Sequence, residues 1–254
     1  MKLTPASCLL ALLMMGCAAN QLSGGTCSIA SATLAVRYDD TGQTFSVAEN
    51  ATGRTFLSGG KLDGVVVEAK VRNRRILLGQ ADGSIVTLEL HGDSPFLFIR
   101  KEFRNPGTST TDIQRVVPVT FTLDLGKKPA ELRTMGTAGL TAPDKHSGSY
   151  LFLTLADPET RRGVVAGWLT HDRGDGALFS GIDNELVQFK AQIDYGHLRI
   201  PPGNPQRWRR SLSASLMTPG SGRSYSRMRS RSITTSSCAP AQQVFAPGTA
   251  RSAA

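Results

Sequence analysis

Short runs in which apolar and polar residues alternate fill most of this chain, and they restrict its fold more than any other feature. Thr33 to Tyr38 alternates, and the turn Asp39-Asp40-Thr41-Gly42 connects it to a second such run, Thr44 to Ala48, which is the pattern of a β-hairpin. Further strand-like runs are Val65 to Val71, Ser84 to Leu90, Pro95 to Phe103, Val116 to Leu125, Tyr150 to Ala156, Gly163 to Leu169 and Leu186 to Asp194. Since successive side chains of a strand point to opposite faces, these runs predict half-buried strands. The predicted fold class is all-β, an antiparallel β-sandwich.

The N-terminus has the pattern of an export signal. Lys2 is positively charged, and Leu9 to Met15 form an apolar stretch too short to span a bilayer. Leu13-Met14-Met15-Gly16-Cys17 resembles a bacterial lipobox, so we expect residues 1–19 to be a lipoprotein-type signal peptide and Cys17 to carry the lipid anchor. Cleavage by a general signal peptidase near Ala18 or Ala19 is the alternative. Either route predicts an exported bacterial protein, in the periplasm or as an outer-membrane lipoprotein.

The composition changes along the chain and suggests its domain boundaries. Residues 20–32 are polar and are interpreted as a linker, and residues 33–203 hold the predicted sandwich. Residues 204–254 contain eight of the 29 basic residues and no acidic residue, so the other 21 basic residues nearly balance the 20 acidic ones. The net charge of +9 therefore belongs to the tail, which is rich in Arg, Ser and Pro and is predicted to be a disordered basic tail.

The turn after Leu169 holds the most varied functional groups of the predicted sandwich. His171, Asp172 and Arg173 follow Trp168 closely, and they offer an imidazole, a carboxylate and a guanidinium. Asp172 and Arg173 could hydrogen-bond sugar hydroxyls while Trp168 serves as a stacking platform. The competing interpretation is a polar turn after a buried strand, in which Asp172 and Arg173 pair locally.

Other kinds of site find no support in the sequence. His91, His146 and His197 are scattered, the four cysteines have neither zinc-ligand spacing nor a disulfide pattern, and no Gly-x-Ser-x-Gly motif occurs. We therefore expect no metal, no cofactor and no catalytic residue in this chain. The basic run Arg223 to Arg231 could attract nucleic acid or anionic lipid, but an exported protein rarely meets nucleic acid, so we expect no such partner.

Two longer stretches resemble a known family. They are Phe96 to Gly126, which contains Phe-Ile-Arg-Lys-Glu-Phe-Arg-Asn-Pro-Gly, and Gly163 to Gly203, which contains Ala-Gln-Ile-Asp-Tyr-Gly-His-Leu-Arg-Ile-Pro-Pro-Gly. Together they resemble the N-terminal β-supersandwich of α-galactosidase-like enzymes of glycoside hydrolase family 36. The resemblance implies that a (β/α)8 barrel with two catalytic Asp residues follows the sandwich in such enzymes. It also implies an α-galactoside-like carbohydrate as ligand and the missing barrel as a structural partner.

The tail suggests how a barrel could be missing. Its composition is typical of a GC-rich gene read out of frame. When the possible codons are read in a shifted frame, those for Leu216 to Ser221 are compatible with the amino-acid string A-Y-D-A-R-L-G. Those for Ala241 to Thr249 are compatible with P-A-G-F-C-T-W-Y. Both strings resemble the start of the family's catalytic domain, so we predict a frameshift between about Gly203 and Trp208. Three hypotheses follow: a truncated glycoside hydrolase without activity, a stand-alone carbohydrate-binding sandwich anchored in the envelope, and a structural envelope lipoprotein.

Overall fold

A computed structural model describes residues 25–92, 94–145, 148–170, 174–203 and 210–217. This part of the chain is built almost entirely from strands. The first eight are β1 Thr26–Ala30, β2 Leu34–Asp39, β3 Thr44–Glu49, β4 Thr55–Leu62, β5 Val66–Arg72, β6 Arg75–Gln80, β7 Ile85–Leu90 and β8 Phe96–Glu102. The next eight are β9 Thr111–Leu123, β10 Arg133–Gly136, β11 Gly139–Thr141, β12 Phe152–Ala156, β13 Gly163–Trp168, β14 Asp175–Asp183, β15 Leu186–Ile200 and β16 Arg210–Met217. A short 3-10 turn, Pro129–Glu131, precedes β10.

The strands form two antiparallel sheets. The seven-stranded sheet, called sheet A, has the order β1-β2-β3-β4-β9-β15-β14. The nine-stranded sheet, called sheet B, has the order β11-β10-β12-β13-β16-β8-β7-β6-β5. The predicted fold class, an all-β antiparallel sandwich, is therefore confirmed. None of the described residues lies in a helix long and apolar enough to cross a lipid bilayer.

The core lies between the two sheets and follows from the alternation seen in the sequence. In β2 and β3, Leu34, Val36, Tyr38, Phe45 and Val47 are all buried, while their neighbours in sequence are more exposed. The same inward positions in both sheets form one continuous cluster of Val, Leu, Ile and Phe. Burying apolar area at about 25 cal/mol per Å² provides the main stabilisation of such a core.

The first predicted hairpin is confirmed at its turn as well as in its strands. β2 pairs with β3 in the register Tyr38 opposite Phe45 and Asp39 opposite Thr44. The Asp39 carboxylate accepts hydrogen bonds from the backbone N–H groups of Thr41 (3.2 Å) and Gly42 (3.3 Å). This side-chain bonding to its own turn is the reason why Asp is favoured at such positions.

Strands β1 and β16 extend past two of the predicted boundaries. The linker predicted at residues 20–32 contains strand β1, which forms the edge of sheet A by pairing with β2. The sandwich does not end at residue 203, because β16 lies inside sheet B between β13 and β8. The predicted signal peptide, Cys17 and residues 218–254 lie outside the described residues.

Candidate functional site

The solvent-facing sides of the two sheets differ in chemistry. On sheet A, the outward positions of β9 and β15 carry polar side chains: Thr120, Thr122, Gln188, Lys190 and Gln192. On sheet B, the corresponding outward positions carry many apolar side chains: Leu77, Phe96, Phe98, Phe152 and Val165. A sheet face that meets only water is normally polar. The outer face of sheet B is therefore the better candidate for a binding surface.

A buried carboxylate stands on this outer face. Glu89 of β7 is 3% exposed, although its strand neighbours Leu88 and Leu90 are the ones that point into the core. The register places Arg75 of β6 opposite Glu89 on one side and Phe98 of β8 opposite it on the other. These flanking side chains cover the carboxylate, whereas an outward Glu on a sheet would ordinarily extend into water.

Three cationic or polar groups converge on the Glu89 carboxylate. Its Oε1 accepts a hydrogen bond from Arg75 Nε at 2.6 Å and lies 3.4 Å from His91 Nε2. Its Oε2 lies 3.3 Å from Arg100 Nη1, yet accepts no hydrogen bond of good geometry from any described residue. Burying a carboxylate costs several kcal/mol unless it is paired, so these neighbours offset the cost of burying Glu89.

Phe98 completes the group. The His91 ring meets the Phe98 ring edge to face at a centroid distance of 4.7 Å, and Phe96 follows at 6.3 Å from Phe98. The side chains of Arg75 and His91 are 54% and 47% exposed. We call Glu89, Arg75, Arg100, His91 and Phe98 the Glu89 cluster. It presents the exposed donors of Arg75 and His91 beside a half-buried aromatic ring on one face, and such groups hydrogen-bond and stack on polar ring-shaped ligands.

The residues predicted as a sugar site are not brought together on a described surface. Trp168 is 8% exposed and belongs to the core, so its ring is not the open stacking platform that we expected. Its indole packs against Gly176 of β14, where no side chain intervenes. His171, Asp172 and Arg173 lie outside the described residues, and their predicted role remains a prediction.

Two cavities lined by described residues are too small to hold a sugar. One of about 10 Å³ is lined by Trp168, Lys101, Phe103 and Tyr195 among others, and another of about 20 Å³ lies beside Glu49 and Arg162. Each holds at most about one water molecule. A polar groove of about 330 Å³ opens on the outer face of sheet A, lined by Thr26, Arg37, Asp39, Thr44 and Ser46 among others, but the one aromatic residue that lines it, Phe45, is 1% exposed.

Other charged groups have structural roles. Lys101, buried between the sheets, donates a hydrogen bond to the Asp63 carboxylate at 2.8 Å and so closes one end of the core. Asp157 accepts hydrogen bonds from the Thr160 hydroxyl at 2.7 Å and from the Glu159 N–H at 2.9 Å in the turn before β13. The Thr160 hydrogen bond is the main reason why the pKa of Asp157 is lowered. Asp157 thus stabilises a turn.

Sequence signals for the Glu89 cluster existed but were not distinctive. Glu89 and His91 are separated by one residue, as same-face strand residues are, but Arg75 and Arg100 lie 14 and 11 residues away from Glu89 in sequence. Only the pairing of β6, β7 and β8 places them together. Among the described residues, no group of three or more His, Cys, Asp and Glu side chains could hold a metal ion.

Solved structures share this fold, although no family model and no curated protein matches the sequence. A galactose mutarotase related enzyme from Lactobacillus acidophilus aligns with a TM-score of 0.58 at 13% identity, over 76% of this chain and 98% of its own. A galactose mutarotase-like protein from Lactobacillus casei aligns with a TM-score of 0.50 at 9% identity, over 76% and 100%.

A larger enzyme shares the fold over part of its length. The α-N-acetylgalactosaminidase NagBb from Bifidobacterium bifidum, in complex with GalNAc, aligns with a TM-score of 0.55 at 12% identity. The alignment covers 81% of this chain but 39% of NagBb, so this chain spans about two fifths of that enzyme's length. At these identities the likeness concerns the fold alone. The chain is a β-sandwich with the architecture of galactose mutarotase-like proteins and of part of a glycosidase.

Proposed function

We propose that this chain is a non-catalytic carbohydrate-binding β-sandwich related to the front domain of α-galactosidase-like enzymes of glycoside hydrolase family 36. The observation that carries the proposal is the Glu89 cluster, a buried carboxylate that holds two arginines and a histidine beside Phe98 on the outer face of sheet B. The partial alignment with NagBb supports the origin of the domain in a larger glycosidase.

Hydrolysis would require groups that the described sandwich does not bring together. Retaining glycosidases use two carboxyl groups about 5–5.5 Å apart, one as nucleophile and one as acid/base. In the described residues, the Glu89 carboxylate is surrounded by cations rather than by a second acid. In the proposed full enzyme, the two catalytic Asp residues belong to a (β/α)8 barrel, and the sandwich binds sugar beside it.

Carbohydrate binding is tested by isothermal titration calorimetry of the full chain with galactose, N-acetylgalactosamine and short α-galactosides. We expect binding by the unchanged protein and a loss of at least tenfold in affinity for Phe98→Ala. Phe179→Ala on sheet A is the matched control, because it removes a half-buried Phe from the opposite outer face. No binding to any of these sugars would contradict the proposal.

The absence of catalysis is tested on the same samples. We expect no hydrolysis of nitrophenyl α-galactoside or nitrophenyl α-N-acetylgalactosaminide, and no acceleration of galactose mutarotation over buffer. Activity that disappears in Glu89→Gln would make this chain an enzyme and overturn the non-catalytic part of the proposal.

A stand-alone sandwich is the second candidate. It is favoured by the Lactobacillus acidophilus protein, whose chain is aligned over 98% of its length and so consists of little more than this fold. Sequencing the gene across the codons for Pro202 to Trp208 and through the region that could encode a barrel of about 250 residues separates the candidates. An open frame with paired Asp codons supports the truncated enzyme. The absence of such a frame supports the stand-alone sandwich, anchored in the envelope at Cys17.

A further inference from the structure

We propose that strand β5, at one edge of sheet B, pairs antiparallel with β5 of a second copy of this chain. The two nine-stranded sheets then form one continuous sheet across the dimer. The proposal does not depend on carbohydrate binding. It is carried by the backbone of β5, by its exposed valines, and by charges that complement each other in one self-pairing register.

The open side of β5 carries backbone groups that no described residue pairs with. Arg72 and Arg75 flank the two-residue turn Asn73-Arg74 and stand opposite each other, so their backbone groups bond across the hairpin. The direction of these groups alternates along a strand, so those of Ala69 and Val71 point away from β6. No described residue forms a hydrogen bond with them. An unpaired strand edge of this kind is a template for another strand.

The first residue of β5 shows how such groups are satisfied elsewhere along the same edge. The Val66 N–H donates a hydrogen bond to Gln43 Oε1 at 3.2 Å, and Gln43 Nε2 donates one to the Val66 carbonyl at 3.0 Å. The Gln43 amide thus takes the place of a neighbouring strand. At Ala69 no described side chain does so, and a strand from a second copy would supply the same donor and acceptor.

The side chains of β5 are suited to contact with another strand. Val67 and Val71 are 56% and 46% exposed, and β-branched residues favour strand pairing. Glu68 and Lys70 form an ion pair at 2.5 Å within the strand. Charges and bulges protect many edge strands, and β5 has a bulge at Val67. Because the charges of Glu68 and Lys70 cancel, the centre of this strand is neutral and does not repel a second copy.

The sequence of β5 complements itself about Ala69. In an antiparallel pair centred there, Glu68 stands opposite Lys70 of the second copy on both sides of the centre. Val67 stands opposite Val71 in the same register. The two Ala69 residues form a hydrogen-bonded pair, because their backbone groups point to the open side. Pairs centred on Glu68, Lys70 or Val71 would each place like charges opposite one another, which destabilises paired strands.

The interface is tested by charge reversal in the full chain, with sedimentation equilibrium in dilute solution as the measurement. We expect the unchanged chain to dimerise, and its dissociation constant to rise about tenfold in Glu68→Lys and in Lys70→Glu, because either change creates two like-charged pairs. Glu159→Lys is the matched control, since it reverses the charge of an exposed, ion-paired Glu away from β5 and should leave the dissociation constant unchanged.

Two rescue experiments separate a lost contact from a damaged fold. The double variant Glu68→Lys with Lys70→Glu should dimerise like the unchanged chain. An equimolar mixture of the two single variants should form heterodimers, because each lysine of one variant then stands opposite a glutamate of the other. A mixture that stays monomeric would overturn the register centred on Ala69.

The backbone contact is tested by Ala69→Pro. Its N–H points away from β6, so proline removes a donor of the interface and keeps the hydrogen bonds to β6. We expect a monomer with the circular dichroism spectrum of the unchanged chain. Dimerisation of Ala69→Pro as tight as that of the unchanged chain would assign the association to another surface and overturn the proposal. A monomeric unchanged chain would overturn it as well, and would show that the bulge at Val67 protects this edge.

Discussion

Gly176 shows how much the core depends on a single close approach. A Cβ at this position would lie 2.7 Å from Nε1 and Cε2 of the Trp168 indole. The indole is buried in a close-packed core. Neither the indole nor a methyl group added at position 176 could therefore move aside without disturbing the layer between the sheets. Trp168, expected from the sequence to face a ligand, instead fills the space that Gly176 leaves open.

Gly176→Ala should therefore lower the free energy of unfolding by about 1–3 kcal/mol, the usual range for overpacking a core. Urea denaturation followed by tryptophan fluorescence measures the change. Gly181→Ala on the same strand is the control, because a Cβ there meets nothing within 4 Å. It should leave stability unchanged or slightly raised. Equal midpoints for the two variants would contradict the packing argument.

Tyr38 places a phenol where it cannot ionise readily. Its side chain is fully buried, and its hydroxyl has no hydrogen-bond partner among the described residues. Burial is the main reason why the pKa of Tyr38 is raised from 10.0 to about 12, and the nearby Asp40 carboxylate adds to the effect. The folded protein thus binds the phenolic proton more tightly than the unfolded chain does.

Because the folded protein binds this proton more tightly, its free energy of unfolding should decrease at alkaline pH. The contribution of Tyr38 to stability is complete below pH 10 and is lost as the pH rises through about 12. Tyr38→Phe should leave stability at pH 7 equal or higher and reduce the alkaline loss, measured by urea midpoints between pH 8 and 11. Tyr150→Phe, at a residue that is 65% exposed, should change neither the stability at pH 7 nor its loss at alkaline pH. A larger alkaline loss in Tyr38→Phe would refute this account.

At the scale of elements, β16 has the greatest influence on the organisation of sheet B. It pairs with β13 on one side, with Leu212 opposite Trp168, and with β8 on the other, with Leu212 opposite Ile99. Without it, the sheet would be divided into one group of strands from β11 to β13 and another from β8 to β5. Both groups would then expose an unpaired strand edge, which promotes aggregation.

A chain that ends at Gly203 should therefore be much less stable than one that ends at Met217. We expect the shorter form to unfold at lower urea concentration or to aggregate, and the longer form to match the full chain, because every described strand lies before residue 218. Circular dichroism and urea denaturation compare the three. Equal stability of both truncated forms would show that residues 204–217 contribute nothing to the fold, as the out-of-frame hypothesis implies.

The sequence contained a local signal for β16 that its composition obscured. Leu212, Ala214 and Leu216 alternate with Ser211, Ser213 and Ser215, which is a strand period. The neighbouring arginines and serines made the whole segment from 204 resemble a disordered tail. β1 was missed for a related reason, since an edge strand with a single buried residue, Ile29, has little apolar periodicity.

At the scale of the whole molecule, the outer face of sheet B ends in an apolar corner. Leu140 of β11 is 68% exposed and stands opposite Met135 of β10, which is 47% exposed. Together with the outward Phe152 of β12, they continue the apolar side of this face away from the Glu89 cluster. Exposed apolar patches of this kind mark sites of association. In the proposed full enzyme, this corner is a suitable contact for the barrel.

We expect the isolated chain to self-associate through this corner and to be poorly soluble. Met135→Thr combined with Leu140→Thr should lower the weight-average mass seen by sedimentation at high concentration. Ile182→Thr, at a 45% exposed residue of sheet A, should not. If the wild-type chain were monomeric at all concentrations, self-association would be excluded. If Ile182→Thr lowered the mass as much as the double variant, the apolar corner would not be the contact. Fusion to a matching barrel should raise solubility for the same reason.

The sequence by itself determined the fold class and most strands, because strand alternation is a local property that each segment carries alone. It also placed the hairpin turn at Asp39, whose side chain bonds only to its own loop. The tertiary structure alone decided that β16 enters sheet B, that Trp168 is buried, and that Arg75 and Arg100 meet at Glu89. These features depend on which strands pair and in which register, and pairing joins residues that are distant in sequence, where periodicity carries no information.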